Sequence, residues 1–104
     1  MLSRTEFERR AQEYFGKYWD MRKRGFVLEA ARTGLEYAIF VKDYWESFLQ
    51  DNVHRPHVDV YEDEVANAWD RVAGARDVLY DLENENEWFG LPVVDGKLAL
   101  GLNP

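Results

Sequence analysis

The chain has 104 residues, the size of one domain and too small for two independent cores. Apolar residues make up 46% and aromatics 15%, enough to build a core and to argue against disorder. There is no cysteine, which excludes disulfides, thiolate ligands and a cysteine nucleophile, and no apolar run nears the roughly 20 residues of a membrane span.

The net charge of −7 is unevenly spread: residues 1–25 carry seven Lys/Arg against four Asp/Glu, and residues 53–104 four against eleven. Such polarity disfavours general binding to nucleic acid, whose phosphates most of the chain would repel. It favours a basic protein surface, a nucleic-acid-binding protein, or a second copy as partner. Met1-Leu2-Ser3 runs into charged residues instead of an apolar signal segment, so a cytoplasmic location is expected.

Ser3-Arg4-Thr5-Glu6 has capping-box form, and Phe7, Ala11, Tyr14/Phe15 and Tyr18/Trp19 recur at helical spacing. They predict a helix over 4–24, ended by Gly25 after the basic run Arg22-Lys23-Arg24. A second helix over 27–51 has two apolar stripes, one through Leu28, Ala31, Leu35 and Ile39 and one through Tyr37, Phe40, Tyr44 and Phe48. Two stripes call for two neighbours, which places this helix centrally. Gly34 in its interior costs about 1 kcal/mol relative to alanine, so close approach of a helix or a large aromatic is expected there.

Pro56 breaks the chain before Asp59-Val60-Tyr61-Glu62, a second capping-box pattern that predicts a third helix over 59–86, weakening in the polar run "ENENE". Beyond it, Pro92 blocks a helix, and Asp95-Gly96 between Val93-Val94 and Lys97-Leu98 is a hairpin signal. The expected fold is all-α: a single domain formed as an antiparallel three-helix bundle, with a short C-terminal β-hairpin or extended tail over 88–104.

His54 and His57, with Asp51 and Asp59 nearby, form a loose set of nitrogen and oxygen donors. Zinc takes four such ligands, but no His-x-x-x-His helix pattern is present, so the stretch reads first as a helix connection and second as a metal site of an enzyme or sensor. Ser3 and Ser47 are the only serines, and carboxylate pairs such as Glu36/Asp43 or Asp77/Asp81 arise readily on an acidic helix. No catalytic residues and no cofactor are assigned.

Asp63, Asp70, Asp77 and Asp81 fall on one strip of the third helix. A solvated face explains them, and so does a docking surface of the kind small phage-encoded acidic inhibitors use, an analogy of charge alone. The basic first helix suggests a nucleic-acid-binding regulator, but pairing of its bases with the third helix's acids accounts for the same residues. Tyrosine and tryptophan are enriched at interfaces. The expectation is therefore a noncatalytic adaptor or inhibitor that binds a partner through Asp63, Asp70, Asp77 and Asp81 and through Trp88, Phe89, Val93 and Leu98 of the tail, with homo-oligomerisation a further expectation.

Overall fold

A computed structural model describes residues 2–99. The part of the expected tail beyond residue 99, with Leu100 and Leu102, lies outside the described residues.

Helix α1 spans Arg4–Lys23. The Ser3 hydroxyl accepts a hydrogen bond from the Glu6 N–H at 3.1 Å, which satisfies one of the free donors of the first turn. Only this half of the capping box forms, because the Glu6 carboxylate turns instead to Arg9 and Arg10. At the other end Gly25, at φ 79°, donates to the Arg22 carbonyl while Phe26 donates to that of Met21. This is the Schellman closure that the left-handed glycine permits.

Helix α2 spans Val27–Asp51. Asn52 ends it, buried, with its Nδ2 donating to the Phe48 carbonyl at 2.7 Å. After the turn through Pro56, helix α3 spans Val58–Tyr80. The expected cap at Asp59 is not made: His57, in the left-handed region at φ 68°, takes the cap position without a side-chain bond, and Asp59 lies in the first turn. There its charge still suits the helix dipole.

From Asp81 to Glu85 the helix widens into a single π-helical turn, closed by Asn86 at φ 53°. Leu82, within that turn, is buried with Val27, Ala31 and Val93, and Leu28, Val78, Leu79, Trp88 and Leu98 pack around them. Strands β1 (Glu87–Trp88), β2 (Leu91–Val94) and β3 (Lys97–Leu98) follow as an antiparallel meander. Both of its turns carry a residue pair at positive φ: Phe89 and Gly90 at 50° and 81°, Asp95 and Gly96 at 54° and 78°. Such pairs make the two-residue turns whose twist matches that of paired strands. The second hairpin is fastened to the start of α2, where the Leu28 N–H donates to the Gly96 carbonyl and the Leu98 N–H to that of Gly25.

The molecule is thus mostly helical with a short antiparallel strand region, and α2 takes the central place. Phe7 of α1 stacks on Tyr44 with ring centroids 3.8 Å apart, and Tyr14 meets Tyr37 and Phe40. From the other side Tyr61 of α3 meets Phe48 edge-on at 4.9 Å, and Ala68 and Val72 are buried. Helices α1 and α3 both pack on α2 and hardly on each other. The Cα envelope, 55 × 24 × 16 Å, is correspondingly flat. Among the described residues no helix is long and apolar enough to cross a membrane.

Candidate functional site

Because α1 and α3 flank α2 without closing over it, a groove of about 310 Å³ runs between them. Its floor is the small-residue stripe Ala31, Gly34, Ala38 and Val41 of α2, four positions that helical spacing brings onto one face. One wall is Phe15, Tyr18 and Trp19 of α1; the other is Arg71, Ala75 and Val78 of α3; Trp88 and Phe89 of the first hairpin stand at one end.

The walls are open to solvent. Phe15 is 56% exposed, Trp19 39% and Phe89 70%, and α1 contains no fully buried residue despite its five large aromatics. Single exposed apolar side chains are ordinary; here several surround one concave apolar floor. Phe89 adds a second signal. A bulky side chain in the left-handed region is unusual and carries backbone strain, so this turn holds an aromatic at its tip where Asn or Gly would fit more easily.

Arg22 fastens the end of the groove. Its guanidinium carbon lies 4.8 Å from the Trp19 ring centroid and 4.9 Å from that of Trp88, so one cation joins α1 to β1 through two aromatic faces.

The acidic strip lies elsewhere. Asp63, Asp70, Asp77 and Asp81 are all exposed, and the first three stand on the side of α3 opposite the buried Val72. They line the outer edge of the molecule, beside the groove and outside it. The tail residues divide: Trp88 and Phe89 reach the groove, whereas Val93, 6% exposed, belongs to the core and Leu98 packs against it. The apolar surface of Val93 and Leu98 is therefore spent within the chain.

The bases of α1 do not reach the acids of α3. Among the described residues Arg4 pairs with Glu8, Arg9 with Glu6 and Glu13, and Arg10 with Glu6, all within α1, and Arg24 at its C-terminal cap pairs with Asp20. The hydrogen bond from Arg9, with that from Arg10 and the charges of both, holds the Glu6 carboxyl below the usual carboxylate range, and Glu6 in turn raises Arg9. On the face away from the groove, Lys42 of α2 lies 4.6 Å from the Trp69 ring of α3 and donates to Asp43 at 2.6 Å and Glu46 at 3.0 Å. Those hydrogen bonds push its pKa up.

His54 and His57 are both exposed in the α2–α3 turn, and the described residues contain no group of three or more His, Cys, Asp or Glu placed to hold a metal ion. No carboxylate, imidazole or serine hydroxyl lines the groove, whose polar atoms come from tyrosines, indole N–H groups, Arg71 and the backbone. Such a lining suits apolar contact.

Comparison with protein-family models, curated proteins and solved structures finds no match to this chain. The functional reading therefore rests on the groove and the edge themselves.

Sequence reasoning reached Trp88 and Phe89 but missed the floor of the groove. Its signal was present: Ala31, Gly34, Ala38 and Val41 form a stripe of small residues beside the aromatic stripe of α2, and Gly34 had already called for a large neighbour. Tyr18 is that neighbour, its Cε2 lying 3.4 Å from where a Cβ on Gly34 would stand.

Proposed function

We propose that the chain is a noncatalytic protein-interaction module, an adaptor or inhibitor, whose apolar groove is covered by another polypeptide while the acidic edge of α3 orients it. The observation that carries this reading is the exposure of Phe15, Trp19 and Phe89 around the small-residue floor of α2. Aromatic anchors beside a depression supply most of the affinity at interfaces, whereas charges at the rim govern encounter and orientation. Asp63, Asp70, Asp77 and Asp81 would serve in that second role toward a basic partner.

The test compares wild type with Phe15→Glu and with Asp70→Lys/Asp77→Lys as immobilised baits, proteins retained from a lysate being identified by mass spectrometry and then repurified. A protein that binds wild type stoichiometrically as a purified component, loses affinity at least tenfold with Phe15→Glu, and associates more slowly with the aspartate variant supports the reading. Retention that neither variant changes would dismiss both surfaces.

A further inference from the structure

We propose that a second copy of this chain covers the groove, the two molecules stacking face to face about a two-fold axis parallel to their helices. The proposal rests on the reading of this face as one buried by polypeptide, and it names the polypeptide.

The first ground is layering. Helical domains bury their apolar stripes between packed layers, yet here α1 and α3 lie on either side of α2, the envelope is 16 Å in its smallest dimension, and α1 buries no residue fully. A second molecule on the groove face supplies the missing layer. At 55 by 24 Å the face is large enough, since a stable interface needs roughly 800 Å² from each partner.

The second ground is shape. Helices α1 and α3 run in the same direction, antiparallel to α2, and their heights are fixed by contacts with it: Tyr18 at Gly34 and Tyr14 at Tyr37 for α1, Trp69 at Lys42 and Tyr61 at Phe48 for α3. Counted from these contacts at equal rise per residue, Phe15 stands level with Gly74, Gln12 with Arg71 and Trp19 with Val78. A two-fold axis parallel to the helices preserves height and lays α1 of one copy over α3 of the other. The projecting Phe15 then meets Gly74 of the second copy, and Trp19 meets Ala75 and Val78. Gly74 has open space about it, since a Cβ there would meet nothing within 4 Å. An aromatic ring can therefore seat on it from outside.

The third ground is charge. Excess base lies on α1 and excess acid on α3, and the same operation sets them side by side twice over. Arg22 and Lys23 come level with Asp81 of the second copy, and Arg9 falls between its Asp63 and Asp70. The alternative two-fold, across the helices, would place α1 on α1 and α3 on α3, acid facing acid. That arrangement is disfavoured by repulsion along the whole length of α3.

The chain has no cysteine, so introduced thiols report on this arrangement alone. The experiment is sedimentation velocity of the wild type over a hundredfold concentration range, with thiol cross-linking by a short bis-maleimide of Gln12→Cys and Arg71→Cys, two exposed positions, separately and mixed. Expected are a concentration-dependent dimer, its loss with Phe15→Glu, and linked dimer in the mixture well above either variant alone. Circular dichroism of Phe15→Glu distinguishes lost association from lost folding, and Lys23→Glu gives a second disruption at an exposed position, expected to weaken the dimer severalfold.

A wild type that stays monomeric at every concentration overturns the proposal, and so does linkage of Gln12→Cys to itself in preference to Arg71→Cys. If the monomer nevertheless binds a foreign protein that Phe15→Glu loses, the groove is an interface with another occupant, and only the second copy fails. A dimer without any foreign partner leaves the second copy standing and removes the adaptor role.

Discussion

Gly96 of the second hairpin and Leu28 of α2 are in close register: a Cβ on the glycine would stand 3.2 Å from the Leu28 Cβ. Gly96 is also at φ 78° and lends its carbonyl to the Leu28 N–H at 3.2 Å. One residue therefore serves the turn, the docking of the strands on α2, and the first-turn donors of that helix.

Gly96→Ala should accordingly destabilise the fold by about 1–3 kcal/mol, from the left-handed backbone and the contact with Leu28 together. Urea unfolding followed by circular dichroism measures it. Gly90→Ala provides the comparison, because it shares the positive φ but has open space around it, and its cost should be smaller by the share due to contact. Equal costs would mean that Leu28 yields freely.

Arg22 and Trp88 yield a second prediction. A cation on an aromatic face contributes roughly 0.5–2 kcal/mol, and here the guanidinium lies between Trp19 and Trp88, half withdrawn from solvent. Arg22→Met retains most of the aliphatic packing and should cost about 1 kcal/mol. In a double-mutant cycle with Trp88→Leu, a coupling of about 0.5–1 kcal/mol is expected. Additive losses would show the two groups to be neighbours without mutual attraction.

Phe89 separates stability from binding. Asn at the first position of a two-residue turn before Gly relieves the left-handed strain, so Phe89→Asn should raise stability by about 0.5–1 kcal/mol while weakening whatever covers the groove. The same protein preparation can be read by thermal melting and by sedimentation. A variant both less stable and equally associated would make Phe89 a structural residue.

Sequence reading went furthest where local chemistry decides. The 3.6-residue periodicity around Tyr14 and Tyr18, the stop at Gly25 and the turn at Asp95-Gly96 each depend on a few adjacent residues, and the helices and the strand region follow from them. The two apolar stripes of α2 likewise told that it has two neighbours. How those neighbours are disposed about it is a tertiary matter, and no helix records it. A bundle closed on all sides would bury Phe15 and Trp19; placing α1 and α3 on separate sides of α2 leaves them at a groove. The π turn at Asp81–Glu85 was hidden for a related reason: its sequence is polar apart from Leu82, whose burial in the core is a tertiary matter. Strand β1 was missed because Phe89 is a poor turn former and masks the hairpin signal of Gly90. For the site, charge spacing located the edge of α3, but alternation could not tell that Val93 faces inward while Phe89 stays out.

Two titrations make stability depend on pH, in opposite directions. Glu6 has its pKa lowered in the fold, so its contribution is present above the unfolded carboxyl value and is lost as pH falls through the folded one. Lys42 has its pKa raised, so its contribution is complete below the unfolded lysine value and is lost as pH rises through the folded one. Neither changes near neutrality. The urea midpoint of Glu6→Gln should therefore converge on that of wild type in acid, and that of Lys42→Met in strong alkali. The Glu6 effect should be small, since its partners are solvent-exposed arginines. A midpoint gap that stayed constant across the acid range would show that Glu6 acts through packing or helix propensity, not through its charge.

The helix-interior glycines carry the last prediction. A methyl group placed on Gly16 or Gly74 would meet nothing within 4 Å, whereas a Cβ on Gly34 would meet Tyr18 at 3.4 and 3.5 Å, ordinary van der Waals distances. Alanine should thus stabilise the isolated chain at Gly16 and Gly74 by up to about 1 kcal/mol through helix propensity, and be tolerated at Gly34. Leucine distinguishes the three. At Gly34 it must displace Tyr18 and should cost about 1–3 kcal/mol by overpacking. At Gly16, on the outer side of α1, it should leave both stability and association nearly unchanged. At Gly74 it should leave the fold intact yet, on the proposed two-fold, lower association severalfold, because its side chain would stand where Phe15 of the second copy approaches. Thermal melting in dilute solution reads the first effect; sedimentation reads the second. Equal association of the Gly16→Leu and Gly74→Leu proteins would remove Gly74 from the interface.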